Sequence, residues 1–158
     1  MCGISGYIGK KNISKNLINN TINLMKNRGP DYQNYYAKNF EDTKVILIHS
    51  RLSIIDLYER SNQPMVFKNY VLIFNGEIYN YLELKQFLLS KNYTFKTDSD
   101  TEVLIKLFDL YKEDFYKYLE GMWSFAIFDK EKKKLILSRD RFGEKPLYYL
   151  KSKHGIYF

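Results

Sequence analysis

A chain of 158 residues is long enough to bury a core of its own, and 45% hydrophobic with 27% charged residues is ordinary for a single globular domain. Its one cysteine excludes an internal disulfide, and no apolar run approaches the roughly 18–20 residues of a membrane-spanning helix, so we expect a cytoplasmic protein with no membrane contact. The net charge of +7 would suit a nucleic-acid partner, but the lysines are scattered and accompany no nucleic-acid motif, so we expect none.

The first half of the chain is predicted to alternate between strands and one helix. A short strand covers "GISGYIG", and Ser14 is a plausible N-cap for an amphipathic helix that stops at the Gly-Pro turn of "NRGPD". Two β-rich runs follow, at Val45–Ile55 and Tyr70–Gly76.

Two capping boxes predict the helices of the second half. Asn80 with Glu83 opens one, and Ser99 with Glu102 opens another that continues to Leu119. Strands are then predicted at "MWSFAIFD", "KLILSRD", "LYYLK" and "GIYF", with a hairpin tip at "DKEKKKL". Strands that are apolar on more than one side need cover from helices or from a second sheet. An αββα sandwich meets that need, and so do other α+β folds.

The lone thiol, Cys2, lies next to the start of the chain. Cysteine is small enough for aminopeptidases to remove the preceding methionine, so we expect Cys2 to be the mature first residue. Its thiol then shares one residue with a free α-amine, whose ordinary pKa of about 7.7–8.0 lets it accept the proton of a nucleophile. Nucleophile and general base then come from one residue. The alternative is a small hydrophobic residue that leads a strand, which is the usual place of a free cysteine.

An N-terminal nucleophile that attacks an amide needs an oxyanion hole, and "FNGE" could supply it. Asn75 offers a side-chain amide, and Gly76 offers a backbone N–H without a Cβ in the way. The alternative is a hairpin, because Asn-Gly after an apolar run is a common turn. A helical pattern follows Gly76, however, where a hairpin needs a partner strand.

Two charged residues are candidates for holding an amino acid. Arg51 could bind an α-carboxylate through two parallel bonds, or it could be an ordinary surface arginine. Asp100 could face an α-ammonium, or it could merely favour the dipole of the helix that Ser99 caps. The loop "RDRFGEKPLYY" suggests no chemistry on its own.

Seven motifs occur together, and their order is that of one enzyme family. They are Cys2-Gly3-Ile4, Arg28-Gly29-Pro30-Asp31, Arg51-Leu52-Ser53-Ile54-Ile55-Asp56, Gln63-Pro64-Met65, Asn75-Gly76-Glu77-Ile78-Tyr79-Asn80, Ser99-Asp100-Thr101-Glu102, and Arg139-Asp140 with Gly143 and Pro146-Leu147-Tyr148. Across its whole length the chain resembles class II glutamine amidotransferases, in particular the glutaminase domain of glutamine-hydrolysing asparagine synthetases.

The resemblance implies a fold and a set of roles. The fold is the four-layer αββα sandwich of N-terminal nucleophile hydrolases, with two antiparallel sheets. Cys2 would attack the carboxamide of L-glutamine, Asn75 and Gly76 would form the oxyanion hole, and Arg28 would support the site. The amino-acid end of the substrate would be held by Arg51, Leu52, Ser53, Ile54, Ile55, Glu77 and Asp100. No metal and no cofactor is expected in this domain.

The resemblance also implies a partner. No "SGGLDS"-type pyrophosphate-binding loop occurs, so we expect residues 1–158 to be a glutaminase domain that is incomplete at its C-terminus and lacks the ATP-dependent synthetase domain. ATP and Mg²⁺ would belong to that domain or subunit alone, which would receive the ammonia to make asparagine from aspartate. Two alternatives stay open: an amidotransferase that acts on another carboxylate, such as a surface sugar, and a glutamine-binding fragment without catalysis.

Overall fold

The structure, a computed structural model, describes residues 2–158. Met1, whose removal the sequence predicts, lies outside the described residues. The strands are β1 (Gly3–Gly9), β2 (Tyr32–Phe40), β3 (Thr43–Arg51), β4 (Met65–Phe67), β5 (Tyr70–Ile78), β6 (Gly121–Asp129), β7 (Lys134–Arg139), β8 (Leu150–Ser152) and β9 (Gly155–Tyr157). The α-helices are α1 (Lys15–Met25), α2 (Tyr81–Ser90) and α3 (Asp100–Tyr111).

The strands form two antiparallel sheets. The first has the order β2-β3-β1-β9-β8, and the second has the order β4-β5-β6-β7. Helix α1 packs on the first sheet, while α2 and α3 cover the second. The four-layer αββα sandwich implied by the resemblance is therefore confirmed.

Strict alternation along the strands divides the core into three apolar layers. On β3, Val45 and Leu47 face the second sheet, while Ile46 and Ile48 face α1. Strand β5 repeats the pattern, with Ile73 between the sheets and its even-numbered neighbours against α3. Each strand of the two sheet centres thus fills two layers at once, which explains why its sequence is apolar on both faces.

Local signals predicted some elements well. Ser14 caps α1 by accepting a hydrogen bond from the Leu17 N–H at 3.2 Å, and "DKEKKKL" is the tip of the β6–β7 hairpin. The β-rich run predicted to Ile55 ends at Arg51, because the chain leaves the sheet there to enter a loop. Strand β2, which is half polar and lies at the sheet edge, was not predicted.

Both capping boxes needed correction. The Asn80 side chain does not cap α2, because its amide binds the Tyr118 carbonyl and the Glu120 N–H, at 2.9 and 3.1 Å. Helix α3 does not continue to Leu119. It ends at Tyr111, where Lys112 adopts a positive φ of 52°, and the segment Lys112–Tyr118 forms a 3-10 helix.

Candidate active site

A cleft opens at the end of the sandwich where β1 begins and β3 ends. Cys2 and Arg51 reach it from the first sheet, and Asn75 reaches it from β5, on the face that Ile73 shares with the inter-sheet layer. Most of the residues predicted from the sequence line it: Cys2, Arg51, Leu52, Ile54, Ile55, Asn75, Gly76, Glu77 and Asp100. Ser53 and Arg28 are not in its lining but contact segments that are.

The Cys2 thiol is half-buried at one wall of this cleft. Its Sγ accepts a hydrogen bond from the Leu52 N–H at 3.4 Å. Burial raises the pKa of the thiol, and the Leu52 N–H acts in the opposite direction. The exposed Arg28 donates from Nε to the Cys2 carbonyl at 3.2 Å, so it holds the backbone of Cys2 rather than entering the cleft.

The opposite wall is an unpaired edge of β5. Strand β4 pairs with β5 only as far as Leu72, so among residues 2–158 no strand pairs with the edge beyond that residue. N–H groups of a strand point alternately to its two neighbours, so Phe74, Gly76 and Ile78 share this free edge. The Phe74 N–H is bound by the Gln63 side chain at 2.6 Å, and the Ile78 N–H is bound by Asp100 at 3.1 Å. Gly76 lies between these two capped groups, and its N–H points into the cleft.

Position 76 is a glycine for a steric reason that the sequence did not reveal. A Cβ there would lie 2.2 Å from the Met122 carbonyl oxygen and 2.7 Å from the Trp123 Cα, both on β6. Asn75 and Gly76 lie in the middle of β5 and pair with β6, so the alternative of a hairpin turn at Asn-Gly is wrong. Glycine permits the close approach of the two main chains.

Asp100 is a buried carboxyl group at the first turn of α3. Burial, with a further contribution from the nearby charge of Glu77, raises its pKa to about 6, although the Ile78 and Thr101 N–H groups oppose the shift. Ser99 caps the helix by accepting from the Thr101 N–H at 3.0 Å, as predicted. Glu102 does not complete the box, since it accepts from the N–H groups of Lys96 and Thr97 instead.

Arg51 is only 5% exposed, which rules out the alternative of a surface arginine. Its four terminal N–H groups are directed at the following loop: Nη1 donates to the Tyr58 carbonyl at 3.1 Å and to Asn62 Oδ1 at 2.7 Å, and Nη2 donates to the carbonyls of Ile55 and Asp56. A bidentate bond to a ligand would have to replace at least one of these contacts. The guanidinium charge nevertheless lies in the cleft wall.

Sequence reasoning missed the residues that hold the cleft loops in place. Asp31 accepts from the Ser53 N–H at 2.7 Å, and the buried Asp140 accepts from four backbone N–H groups, including that of Lys145 at 2.9 Å. Lys145 is itself buried and lines the cleft. Asp31 and Asp140 belong to two of the seven motifs, and Lys145 lies in the loop "RDRFGEKPLYY". The partner of Asp31 is 22 positions away, whereas three of the four partners of Asp140 lie within five residues of it.

The cleft offers a thiol, main-chain and amide donors, and charges of both signs. Within residues 2–158, no group of three or more His, Cys, Asp or Glu side chains is arranged to hold a metal ion. The same part of the chain has no helix of the length and apolar character needed to cross a membrane. Acyl transfer through the thiol is the chemistry that these groups can support.

A family model described as "Glutamine amidotransferase domain" matches residues 1–158. The chain belongs to this family. Glutamine-hydrolysing asparagine synthetase 1 of Bacillus subtilis (strain 168) is 42% identical over 165 residues, which cover 100% of this chain. Asparagine synthetase B of Escherichia coli (strain K12), also named as glutamine-hydrolysing, is 37% identical and covers 98% of it. The chain spans only 25% and 28% of the length of these two relatives.

Two solved structures share the fold. Glutamine phosphoribosylpyrophosphate amidotransferase from Bacillus subtilis superposes with a TM-score of 0.79 over 98% of this chain and 41% of its own, at 20% identity. A structure described as the allosteric regulatory enzyme of purine biosynthesis gives the same TM-score and coverage at 18% identity. At such identities the likeness concerns the fold alone.

Proposed function

We propose that this glutamine amidotransferase domain hydrolyses L-glutamine to glutamate and ammonia through a thioester on Cys2. The observation that carries the proposal is that Cys2 and Gly76 line the same cleft. Of the three N–H groups on the free edge of β5, those of Phe74 and Ile78 are bound by side chains, which leaves the N–H of Gly76 for a substrate. Family membership supports the same reaction class.

The reaction has two halves. In the first, Sγ of Cys2 attacks the carboxamide carbon and the α-amine of Cys2, freed by removal of Met1, takes the thiol proton. The amide of Asn75 and the N–H of Gly76 stabilise the oxyanion. The C–N bond then breaks, the amine returns the proton to the leaving nitrogen, and ammonia departs. In the second half, water attacks the thioester carbon and gives a proton to the α-amine, the C–S bond breaks, the amine returns that proton to Sγ of Cys2, and glutamate leaves.

The two charged ends of the amino acid need partners of opposite sign. Asp100 and Glu77 suit the α-ammonium. The charge of Arg51, with the backbone of residues 52–55, suits the α-carboxylate; because the terminal N–H groups of Arg51 already bind the loop, backbone donors would contribute much of the hydrogen bonding. Arg28 acts through the Cys2 carbonyl and has no chemical step.

The ammonia is proposed to pass to a synthetase domain or subunit that makes asparagine from aspartate with ATP and Mg²⁺. The relatives at 42% and 37% identity are named glutamine-hydrolysing asparagine synthetases, and they support this acceptor over a sugar carboxylate. Residues 1–158 would be the glutaminase part of such an enzyme. A cytoplasmic location is proposed as well, because it would keep the catalytic thiol reduced.

The test is glutamate release from glutamine by the purified full chain. We expect turnover by the wild type and its complete loss in Cys2→Ala. A second variant, with one lysine inserted between Met1 and Cys2, keeps the thiol and removes its free amine, so it should fold and lose turnover as well. Intact mass should show that Met1 is absent from the active protein. Turnover by the insertion variant at the wild-type rate would contradict the proposed base.

A further inference from the structure

We propose that His49 and Gln63 are positioning residues. His49 binds the carbonyl of Phe74 and Gln63 binds its N–H, and together these two contacts, here called the clamp, hold the main chain that places the adjacent donors of Asn75 and Gly76. The inference rests on the proposed glutaminase function. Neither residue was assigned a role from the sequence, although Gln63 belongs to one of the seven motifs.

The side chain of Gln63 provides the hydrogen bond that a neighbouring strand would otherwise give to the free edge of β5. Beyond Leu72 the free edge of β5 has no ladder partner, and the side-chain Oε1 of Gln63 accepts the Phe74 N–H at 2.6 Å. The other end of the same amide is fixed, because its Nε2 donates to Thr101 Oγ1 on α3 at 3.3 Å. Gln63 is buried, so its amide can hold one orientation without competition from water.

His49 satisfies the other polar group of the same residue. It lies on β3 with 0% exposure, and its Nε2 is 3.1 Å from the Phe74 carbonyl oxygen. A carbonyl can only accept, so Nε2 must carry the proton. Burial lowers the pKa of His49 to about 3, which keeps the ring in this neutral form. The ring thus bridges the two sheets.

The clamp acts one residue before the oxyanion donors. The donors of Asn75 and Gly76 can stabilise a charge only where the β5 main chain places them, and a misplacement of about 1 Å can cost about 100-fold in rate. Phe74 is itself buried, so an unpaired N–H or carbonyl there would carry a desolvation penalty of about 1–3 kcal/mol. Relaxation to relieve that penalty would move the donors.

Steady-state kinetics of glutamine hydrolysis by the full chain distinguish positioning from folding. His49→Phe keeps the ring and removes the donor; we expect kcat to fall at least about tenfold with KM within about twofold. His49→Gln restores an N–H donor at the reach of Nε2 and should recover most of kcat. Gln63→Met should lower kcat in the same way, and Thr101→Val, which frees the far end of the amide, should lower it less.

The matched control is Tyr7→Phe. The Tyr7 hydroxyl also satisfies two groups, the His154 carbonyl and the Lys11 N–H, both at 2.7 Å, but at the far end of β1. This variant should lose stability and keep kcat. If His49→Phe and Gln63→Met also keep kcat, or if kcat falls equally in Tyr7→Phe, the clamp is wrong.

A second readout does not need turnover or the wild-type reaction. Hydrogen exchange at the Phe74 and Asn75 amides should quicken in His49→Phe and Gln63→Met, and His49→Gln should bring it back towards the wild-type rate. Unchanged exchange at both amides would overturn the clamp. Absence of turnover in the wild type, with exchange altered as expected, would instead refute the glutaminase function and leave the clamp standing.

Discussion

Helices α1 and α3 both begin after a serine N-cap, but most of α1 faces solvent and most of α3 is buried. Each follows a serine N-cap, Ser14 or Ser99, whose hydroxyl accepts a backbone N–H. In α1 only Ile18 is buried, whereas in α3 every residue from Asp100 to Phe108 is buried. Ile18 docks α1 on the first sheet, with the partly buried Ile22 and Met25 packed against the same cluster. The charged residues Asp100, Glu102 and Lys106 of α3 are buried because each has a hydrogen-bond or ion-pair partner inside the protein.

The first turn of α3 is inserted between the free edge of β5 and the segment that precedes the helix. Asp100 caps the Ile78 N–H, and Glu102 accepts from Thr97 N–H and Oγ at 2.7 Å each. Glu102 also pairs with the buried Lys106 at 2.5 Å. The comparison indicates that α1 only closes the sandwich, while α3 builds the cleft and needs internal partners for each charge.

The largest effect is expected when the Glu102–Lys106 pair is broken. Glu102→Ala leaves the Lys106 ammonium buried without its carboxylate and removes the acceptor of two N–H groups, so it should lower the free energy of unfolding by about 3–5 kcal/mol. Urea denaturation measures this. Glu102→Gln, which keeps an acceptor, should lose less. Glu83→Ala, at an exposed site on α2, should change stability by no more than about 0.5 kcal/mol, and an equal loss at both sites would remove the contrast.

We expect the ionised carboxylate of Asp100, which lines the cleft, to lower the free energy of unfolding. Its folded-state pKa of about 6 lies above the ordinary 3.8, so ionisation costs stability above about pH 6, and the cost vanishes as pH falls below about 4. Asp100→Asn keeps an acceptor for the Ile78 N–H. It should raise the free energy of unfolding at pH 8 by on the order of 1–3 kcal/mol, with no gain at pH 4.

Glutamine binding separates this explanation from simple repacking. Asp100→Asn should lose affinity for glutamine at the pH where it gains stability, because the α-ammonium loses a charged partner. A stability gain of the same size at pH 4 and pH 8 would show that burial of the charge is not its cause.

The smallest effect sharpens the comparison of the two caps. Ser14→Ala, at an exposed cap, should cost about 0.5–1 kcal/mol, and Ser99→Ala, at a buried one, should cost about 1–2 kcal/mol, because water cannot replace the lost hydroxyl. Urea unfolding of both variants under the same conditions gives the difference. Equal losses would mean that the depth of the cap has no influence.

The sequence predicted well where a signal is local or where motifs act as a set. The Ser14 cap and the β6–β7 hairpin depend on neighbours within a few residues, and the αββα architecture followed from seven motifs in order. The Asn80 box failed because the partners of its side chain, Tyr118 and Glu120, lie about 40 positions away, and no local pattern announces such a competitor.

The sequence predicted most of the residues that line the cleft, but it did not predict which strands and edges form the cleft walls. Cys2, Asn75 and Asp100 were expected to act on one substrate, and they line one cleft. That the cleft is an uncovered strand edge could not be inferred, because it depends on where β4 stops pairing. The contacts of His49 and Gln63 depend on the same long-range geometry, so neither residue could be given a role from the sequence, although Gln63 belongs to one of the seven motifs.

The crowding at Gly76 also determines how its N–H behaves over time. An N–H donor on a loop would have to be aligned at each encounter with a ligand. The N–H of Gly76 moves only with the whole sheet, because the main chain of β6 packs against Gly76 and the N–H groups of Phe74 and Ile78 are bound by side chains. The reorganisation is completed once, when the chain folds, and every later turnover starts from an aligned dipole.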